Sequence, residues 1–439
     1  MEEGCWMKKI FVLLMVGVLV LLTGCSAKNS TQVKKDISGK TTISWWAFPV
    51  FAQQSSSDGL GTYEKSLIAA FEKKHPDIHV ELNMLNFTSG PEKIRVALAN
   101  GTMGDVLLDA PGRIIAYGKA GKLIKLNDLF TEKFCQDVHN DTLLGACKDK
   151  TTDYMYPLSS APFYMVFNKA YLEDAGVLEL VREGWTTKDF VQVMAALRQK
   201  GYVAGTVFCR DAGGDQATRA FAANLYNGSI LDEKLTHYTI QEEKGLKGLK
   251  AIGEFVDKGY LLNGTMRNGS EDIANFATGR TSMSLLWSPG LHESQRGALE
   301  ANHITTVEVP LPAENGTPSL EYLVNGFCVF NNNSKKKVEA SKLFIQFLCD
   351  DPVYGPQNVV RTGSFPVRTS FGALYKDTRM QKIGSWAKYY GTYYNTVNGF
   401  GQMRKNWSVL LQRIQNKDMT VQEAAEQFAA KSNLSLGGK

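Results

Sequence analysis

No pair of cysteines in this sequence has CxxC spacing, and its six histidines are scattered. That argues against the ligand sets of structural or catalytic zinc, and no metal or other cofactor is expected. Charge of one sign is also lacking. The balance of 49 basic against 44 acidic residues leaves +5, with the signs interspersed. Without a basic stripe carrying interleaved aromatics, nucleic acid is not an expected partner, and the charge supports only weak attraction to anionic envelope polymers or lipid. There is no visible internal repeat. The apolar run Ile10 to Leu22 falls short of the about 20 residues that span a bilayer.

What that run does have is a signal-peptide outline. Met7-Lys8-Lys9 precedes it and Leu22-Thr23-Gly24-Cys25 ends it, a basic start, a short apolar core and small residues at the end. Residues 1–24 read as a signal peptide, with translation starting at Met1 or Met7. The last four residues resemble a bacterial lipobox, which implies cleavage before Cys25 and acylation of its thiol and new amine, for example by palmitate. Two or three acyl chains would hold the mature chain on the outer face of the cytoplasmic membrane. An ordinary secretory signal with a chance cysteine is the alternative. Residues 25–40, rich in Ser, Thr, Lys, Asn and Gly, read as a flexible linker. Five further cysteines then remain, Cys135, Cys147, Cys209, Cys328 and Cys349, an odd number that cannot pair fully. Cys135 and Cys147 flank a short polar loop and are candidates for a disulfide.

The remaining four hundred or so residues are too many for one core and suggest two lobes. Thr41 to Phe48 is rich in β-branched and aromatic residues and reads as a first strand. A helix over about 62–74 stops at His75-Pro76, a strand runs from Ile78 to Leu85, a helix ends at Asn100-Gly101, and Asp105 to Asp109 forms a buried strand. This βαβαβ rhythm predicts a mostly parallel sheet with helices on both faces. Met155 to Asn168 is a long, nearly uncharged strand-like segment, interrupted by Pro157 and Pro162, able to cross between lobes. Thr186 is a cap candidate for the next helix, and helices near 218–225 and 244–258 make the second region more helical.

The order of these landmarks resembles the extracellular solute-binding proteins of family 1, the sugar-binding subunits of ATP-binding-cassette (ABC) importers related to maltose-binding protein. The resemblance rests on the aromatic strand Ile43 to Phe48, Gly104-Asp105-Val106 through Asp109, Tyr117-Gly118-Lys119-Ala120-Gly121, Tyr156-Pro157-Leu158 leading to Asn168-Lys169, Trp185 to Phe190, Phe276 to Met283, Asn325-Gly326, Ser334 to Ala340 and Thr420 to Ala424. It implies an α/β fold of the two-lobed periplasmic-binding type (type II), with mostly parallel sheets flanked by helices and three hinge crossings near Ser159 to Pro162, Tyr322 to Asn325 and Ser364 to Val367. Residues 41–161 and 326–364 would form one lobe, and 162–325 with 365–439 the other. Such lobes close on a solute by hinge motion.

Sugars present flat C–H faces and a rim of hydroxyls, so their sites need aromatic platforms and a few planar hydrogen-bonding groups. The resemblance places the first strand at the cleft, and alternation puts Trp46 and Phe48 on one face and Trp45 on the other. Trp46 and Phe48 are the expected cleft aromatics, with packing as the alternative. Asp109 stands at a strand's carboxyl end, where open α/β sheets bind ligands, and competes with a capping role. Arg113 reaches the ligand or lies on a solvated helix face. Asp211, within Arg210 to Asp215, is a ligand residue or part of a tight turn. Trp287 is a stacking aromatic or core. Asn325 and Gly326 offer an amide and open backbone at the second crossing. At the third, Phe365 and Arg368 reach the cleft, or Arg368 braces the hinge on a carboxylate. Arg404 and the Tyr389, Tyr390, Tyr393, Tyr394 group are weaker candidates. Departures from the family pattern at Asp109, Ser159, Ser160 and the Gln53 to Asp58 loop leave the sugar open.

The reading is a non-enzymatic, monomeric receptor that binds a saccharide and delivers it to an ABC permease. A secreted carbohydrate-active enzyme would need two positioned carboxylates, for which Asp109 and Asp211 are the candidates. A sensing or adhesive surface lipoprotein with the same fold is the third class.

Overall fold

The computed structural model of the chain describes residues 39–51, 59–86 and 89–437. The signal peptide, Cys25, most of the linker and the Gln53 to Asp58 loop lie outside the described residues. Among those described, no helix is long and apolar enough to cross a membrane.

Strand β1 (Thr41–Ala47) buries Ile43, Trp45 and Ala47 on one face. Trp45 is fully buried, with the rings of Phe51, Phe327 and Phe344 at centroid distances of 5.2–6.4 Å, as the sequence reading placed it. The helix Thr62–Lys74 buries a stripe of Leu67, Ile68 and Phe71. After it come β2 (Ile78–Met84), the helix Gly90–Asn100 and β3 (Val106–Asp109). β1 pairs in parallel with both β2 and β3, so the expected βαβαβ unit forms.

Beyond a small hairpin of β4 (Lys148–Asp149) and β5 (Thr152–Asp153), the uncharged segment is split at Phe163 into β6 (Tyr156–Pro162) and β7 (Tyr164–Asn168). The later strands are β8 (Thr206–Phe208), β9 (Leu262–Gly264), β10 (Met283–Trp287), β11 (Thr306–Val309), β12 (Tyr322–Val329) and β13 (Phe365–Pro366). The first sheet has the order β13-β6-β12-β3-β1-β2, and the second is β10-β7-β11. Among the named strands of the described residues, parallel pairing is confined to β1, β2 and β3 and to β8 with β9. β12 runs antiparallel to β3 and β6, β13 to β6, and β7 to both its neighbours. The sheets are therefore more mixed than the opening rhythm predicts, because strands returning from the other half of the molecule need no helical crossover on the same sheet.

Two cores result. One gathers β1, β3 and the helix Lys335–Asp350. The other gathers β7 and β10 with the helices Thr187–Gln199 and Phe400–Asn416. The three segments expected to cross lie side by side as β6, β12 and β13. All five cysteines among the described residues are free. The Cys147 thiol is buried and donates to Leu143 O at 3.3 Å, while Cys135 turns toward Phe130 O at 3.8 Å. Cys135 and Cys147 therefore form no disulfide here.

Candidate ligand cleft

Just beyond the carboxyl ends of β1 and β3, Phe48, Asp109 and Arg113 line a cavity of about 560 Å³, a volume typical of small-molecule sites. From the other core, the starts of three helices face it: Asp215–Asn224 with Gly213, Gly214 and Gln216, Gly269–Ala277 with Gly269 and Ser270, and Pro289–Ala301 with Ser288 and Gly290. The crossing strands and the turn before β13 supply Ala161, Leu323, Asn325, Thr362 and Ser364. The cavity thus lies between the lobes, over the hinge.

Asp109 closes β3, and Pro111 starts the next helix. That places Arg113 one turn on, where its Nε donates to Asp109 Oδ2 at 2.6 Å and its Nη2 to Oδ1. The Ala110 N–H also donates to Oδ1, at 2.7 Å. Asp109 is buried and Arg113 half exposed. The bond to Asp109 holds the guanidinium above its ordinary pKa. Its carbon lies 5.9 Å from the Phe48 ring centroid, a cation–π distance. The pair therefore presents an oriented guanidinium over an aromatic face, whereas Asp109 itself is taken up within the protein. At the hinge, the Asn325 amide donates to Ser159 Oγ at 3.2 Å, and that hydroxyl lies 3.1 Å from Thr362 Oγ1. These buried bonds fix the Asn325 rotamer before any ligand arrives.

A second cavity of about 600 Å³ continues from the first, sharing Ala110, Arg113, Phe163, Gln216 and Leu323. Its wall holds Arg219, almost fully buried, which donates to Asp215, to both Glu321 oxygens at 3.1 and 2.8 Å and to the Tyr394 hydroxyl at 2.9 Å. Burial alone would lower the Arg219 pKa, but Glu321 and Tyr394 raise it well above the usual value. Arg404 Nε donates to the other Asp215 oxygen at 2.8 Å. Across the opening, Lys119 reaches Thr396 O at 2.7 Å and Asn398 Oδ1 at 3.0 Å.

Of the residues expected from sequence, Phe48, Asp109, Arg113 and Asn325 line the first cavity. The others stand elsewhere. Trp46 lies on the face of β1 opposite Trp45, the face Phe48 shares, packed so closely that a Cβ on Gly104 would come within 2.3 Å of its ring. It sits two residues short of Phe48, about 7 Å down the strand, and does not line the cavity. Trp287 is fully buried, edge-on to Phe276 at 5.3 Å, with its Nε1 donating to Glu308 Oε1 at 3.1 Å. The next residue, Ser288, reaches the cavity instead. Gly326 follows an irregularity between β12 and β6, where a Cβ would meet Tyr156 O at 2.6 Å, so backbone approach explains it. Arg368 binds Asp137 at 2.6 Å and Asp350, the hinge-bracing option. Phe365 is buried beside a separate cavity of about 280 Å³. Asp211 is half exposed and accepts the Gly213 N–H at 2.7 Å, a tight turn that presents Gly213 and Gly214 to the cleft.

Sequence reasoning missed Phe163, Gln216, Ser270, Thr362 and Ser364. It also missed Ser288, which unlike these carried a local signal, a serine before proline at a helix start; its side chain caps Leu291 N. Among the described residues, no group of three His, Cys, Asp or Glu side chains is placed to hold a metal ion.

Two α/β lobes with a cavity over their crossing strands define the solute-binding class of architecture. The sequence profile of bacterial extracellular solute-binding proteins matches residues 54–353, and the chain belongs to that family. Over 195 residues, 44% of the chain, it is 30% identical to the melibiose/raffinose/stachyose-binding protein MelE of Bacillus subtilis (strain 168); the match spans 41% of that protein's length. The cyclic α-maltosyl-1,6-maltose binding protein of Arthrobacter globiformis superposes with a TM-score of 0.75 at 16% identity, covering 91% of this chain and 100% of that one. The sugar-binding protein MalE of Xanthomonas citri gives 0.73 at 18%, covering 91% and 98%. At these identities the likeness of the solved structures is one of fold.

Proposed function

We propose that this chain is the lipid-anchored receptor of an ABC importer, which holds a saccharide in the interlobe cleft and presents it to a membrane permease. The observation that carries this reading is the cavity over the hinge, with an aromatic ring under an oriented guanidinium and an amide locked by buried hydroxyls. Those are the group types that bind C–H faces and vicinal hydroxyls. The relative that binds melibiose, raffinose and stachyose supports the substrate class. Acylation of Cys25 and the linker after it would keep the receptor beside its permease. An enzymatic reading draws no support from Asp109, whose carboxylate is taken up by Arg113, or from Asp211, which lies outside the cavity lining.

Thermal-shift screening with melibiose, raffinose, stachyose and a wider saccharide set tests the reading. A cognate sugar at a hundred times its dissociation constant adds about 2.7 kcal/mol of stability, and small-angle scattering should show a smaller radius of gyration with the sugar recovered unchanged. If no saccharide raises the melting temperature, the receptor assignment is wrong. Mass spectrometry of membranes should find an acylated peptide beginning at Cys25.

A further inference from the structure

The second cavity is lined very differently from the first. Four cationic side chains, Arg113, Lys119, Arg219 and Arg404, line it, against the single carboxylate of Asp215. The counter-charges Asp109, Asp149 and Glu321 pair with these cations but do not themselves line that cavity. Arg219 has all its nitrogens engaged and serves as a fixed support. Arg113 and Arg404 are different. Each binds its carboxylate through Nε and Nη2, which leaves the Nη1 end of the fork without a protein partner among the described residues, on a side chain 47% and 33% exposed respectively. Two guanidinium ends, both held in place by buried carboxylates, thus border one cavity.

The backbone adds to this field. Helices Pro111–Lys119, Asp215–Asn224 and Phe400–Asn416 all begin at this cavity, after Ala110, Gly214 and Gly399, and none of the three receives a side-chain cap. Their first N–H groups and dipoles favour negative charge nearby. Uncapped starts also occur elsewhere, as in Thr62–Lys74 and Glu243–Asp257, but at this cavity three converge on one space.

We infer that the second compartment of the cleft receives an anionic group carried by the solute, so that the receptor selects an acidic saccharide, bearing a carboxylate or a phosphate, over its neutral counterpart. This rests on the saccharide reading of the cleft. The neutral part of the solute would lie against Phe48 and Asn325, and the anion between Arg113 and Arg404, where charge-assisted bonds are shorter and stronger than neutral ones.

Calorimetric titration of the full mature chain at low and high salt tests it, using a uronate oligosaccharide, the same compound with its carboxyl groups reduced, and a sugar phosphate. The expected result is at least about tenfold tighter binding of one acidic ligand than of the neutral one, weakening with salt. Whichever acidic ligand leads identifies the anion as carboxylate or phosphate. Arg404→Gln should remove most of that preference while the melting curve shows the variant folded, and Arg404→Lys should retain part of it. Neutral and acidic ligands binding alike, or a preference unchanged in Arg404→Gln, overturns the inference and leaves the saccharide reading standing. Binding of no saccharide of either kind overturns both.

Discussion

Asp109 and Trp287 show how far a side chain's position can differ from its reach. Asp109 stands at a ligand edge of the sheet, yet both its oxygens are occupied by Arg113 and Ala110 N–H. Replacing it with Asn leaves the Arg113 guanidinium without a charged partner. Asp109→Asn is expected to cost about 1–3 kcal/mol of stability and to weaken saccharide binding indirectly, through a mobile Arg113. Paired melting and titration curves should show both effects, and affinity lost at unchanged stability would mean that Asp109 touches the ligand itself. Trp287 behaves as packing. Trp287→Ala should cost about 3–5 kcal/mol in urea unfolding and leave affinity within a few-fold at temperatures where the variant is folded. The opposite pattern would return Trp287 to the cleft.

At the level of elements, the alternating strand, the amphipathic helices and their caps could be read directly because each is local. Thr186 does cap its helix and forms the reciprocal bond with Asp189, so Thr186→Ala should cost about 1 kcal/mol in chemical denaturation with no change in binding. The break of one long segment into β6 and β7 had one local mark, Pro162, which ends β6 and has no N–H to give a ladder; that the two parts join separate sheets was not legible. Nor was the site fully legible. Thr362 and Ser364, beside the crossing strands, and Gln216, at a helix start of the other core, meet Phe48 over long sequence separations, and a serine or glutamine carries no pattern of its own. The family resemblance pointed to strand ends, and alternation put Trp45 in the core, where it is buried; the same alternation offered Trp46 to the cleft together with Phe48, and only Phe48 lines the cavity. Gly326 records the close packing of the crossings. Gly326→Ala would force a Cβ against the Tyr156 carbonyl and should cost about 1–3 kcal/mol, read from the same denaturation curves.

Over the whole molecule, stability should depend on pH through Asp272. It is fully buried, accepts Ser284 Oγ at 2.6 Å and Thr206 N at 3.0 Å, and burial pushes its pKa up to about 6. A raised folded-state pKa favours the protonated form in the native state. Its contribution is therefore full below about pH 4 and is lost as pH rises through about 6. Asp272→Asn keeps the shape without the charge. Relative to the parent, it should gain stability steadily between pH 4 and pH 7 in melting curves, whereas an equal offset at every pH would show that the carboxyl does not titrate there.

The placement of the indole rings has a practical consequence for anyone watching this protein by light. Trp45, Trp185, Trp287, Trp386 and Trp407 are all essentially sealed from solvent, Trp46 is wedged against Gly104, and Trp6 lies outside the described residues. The rings that border the cavity are Phe48 and Phe163, which are dark when tryptophan is excited. Intrinsic emission should therefore be blue-shifted and nearly indifferent to solute, so that a reporter dye attached at the cleft rim is needed to follow closure optically.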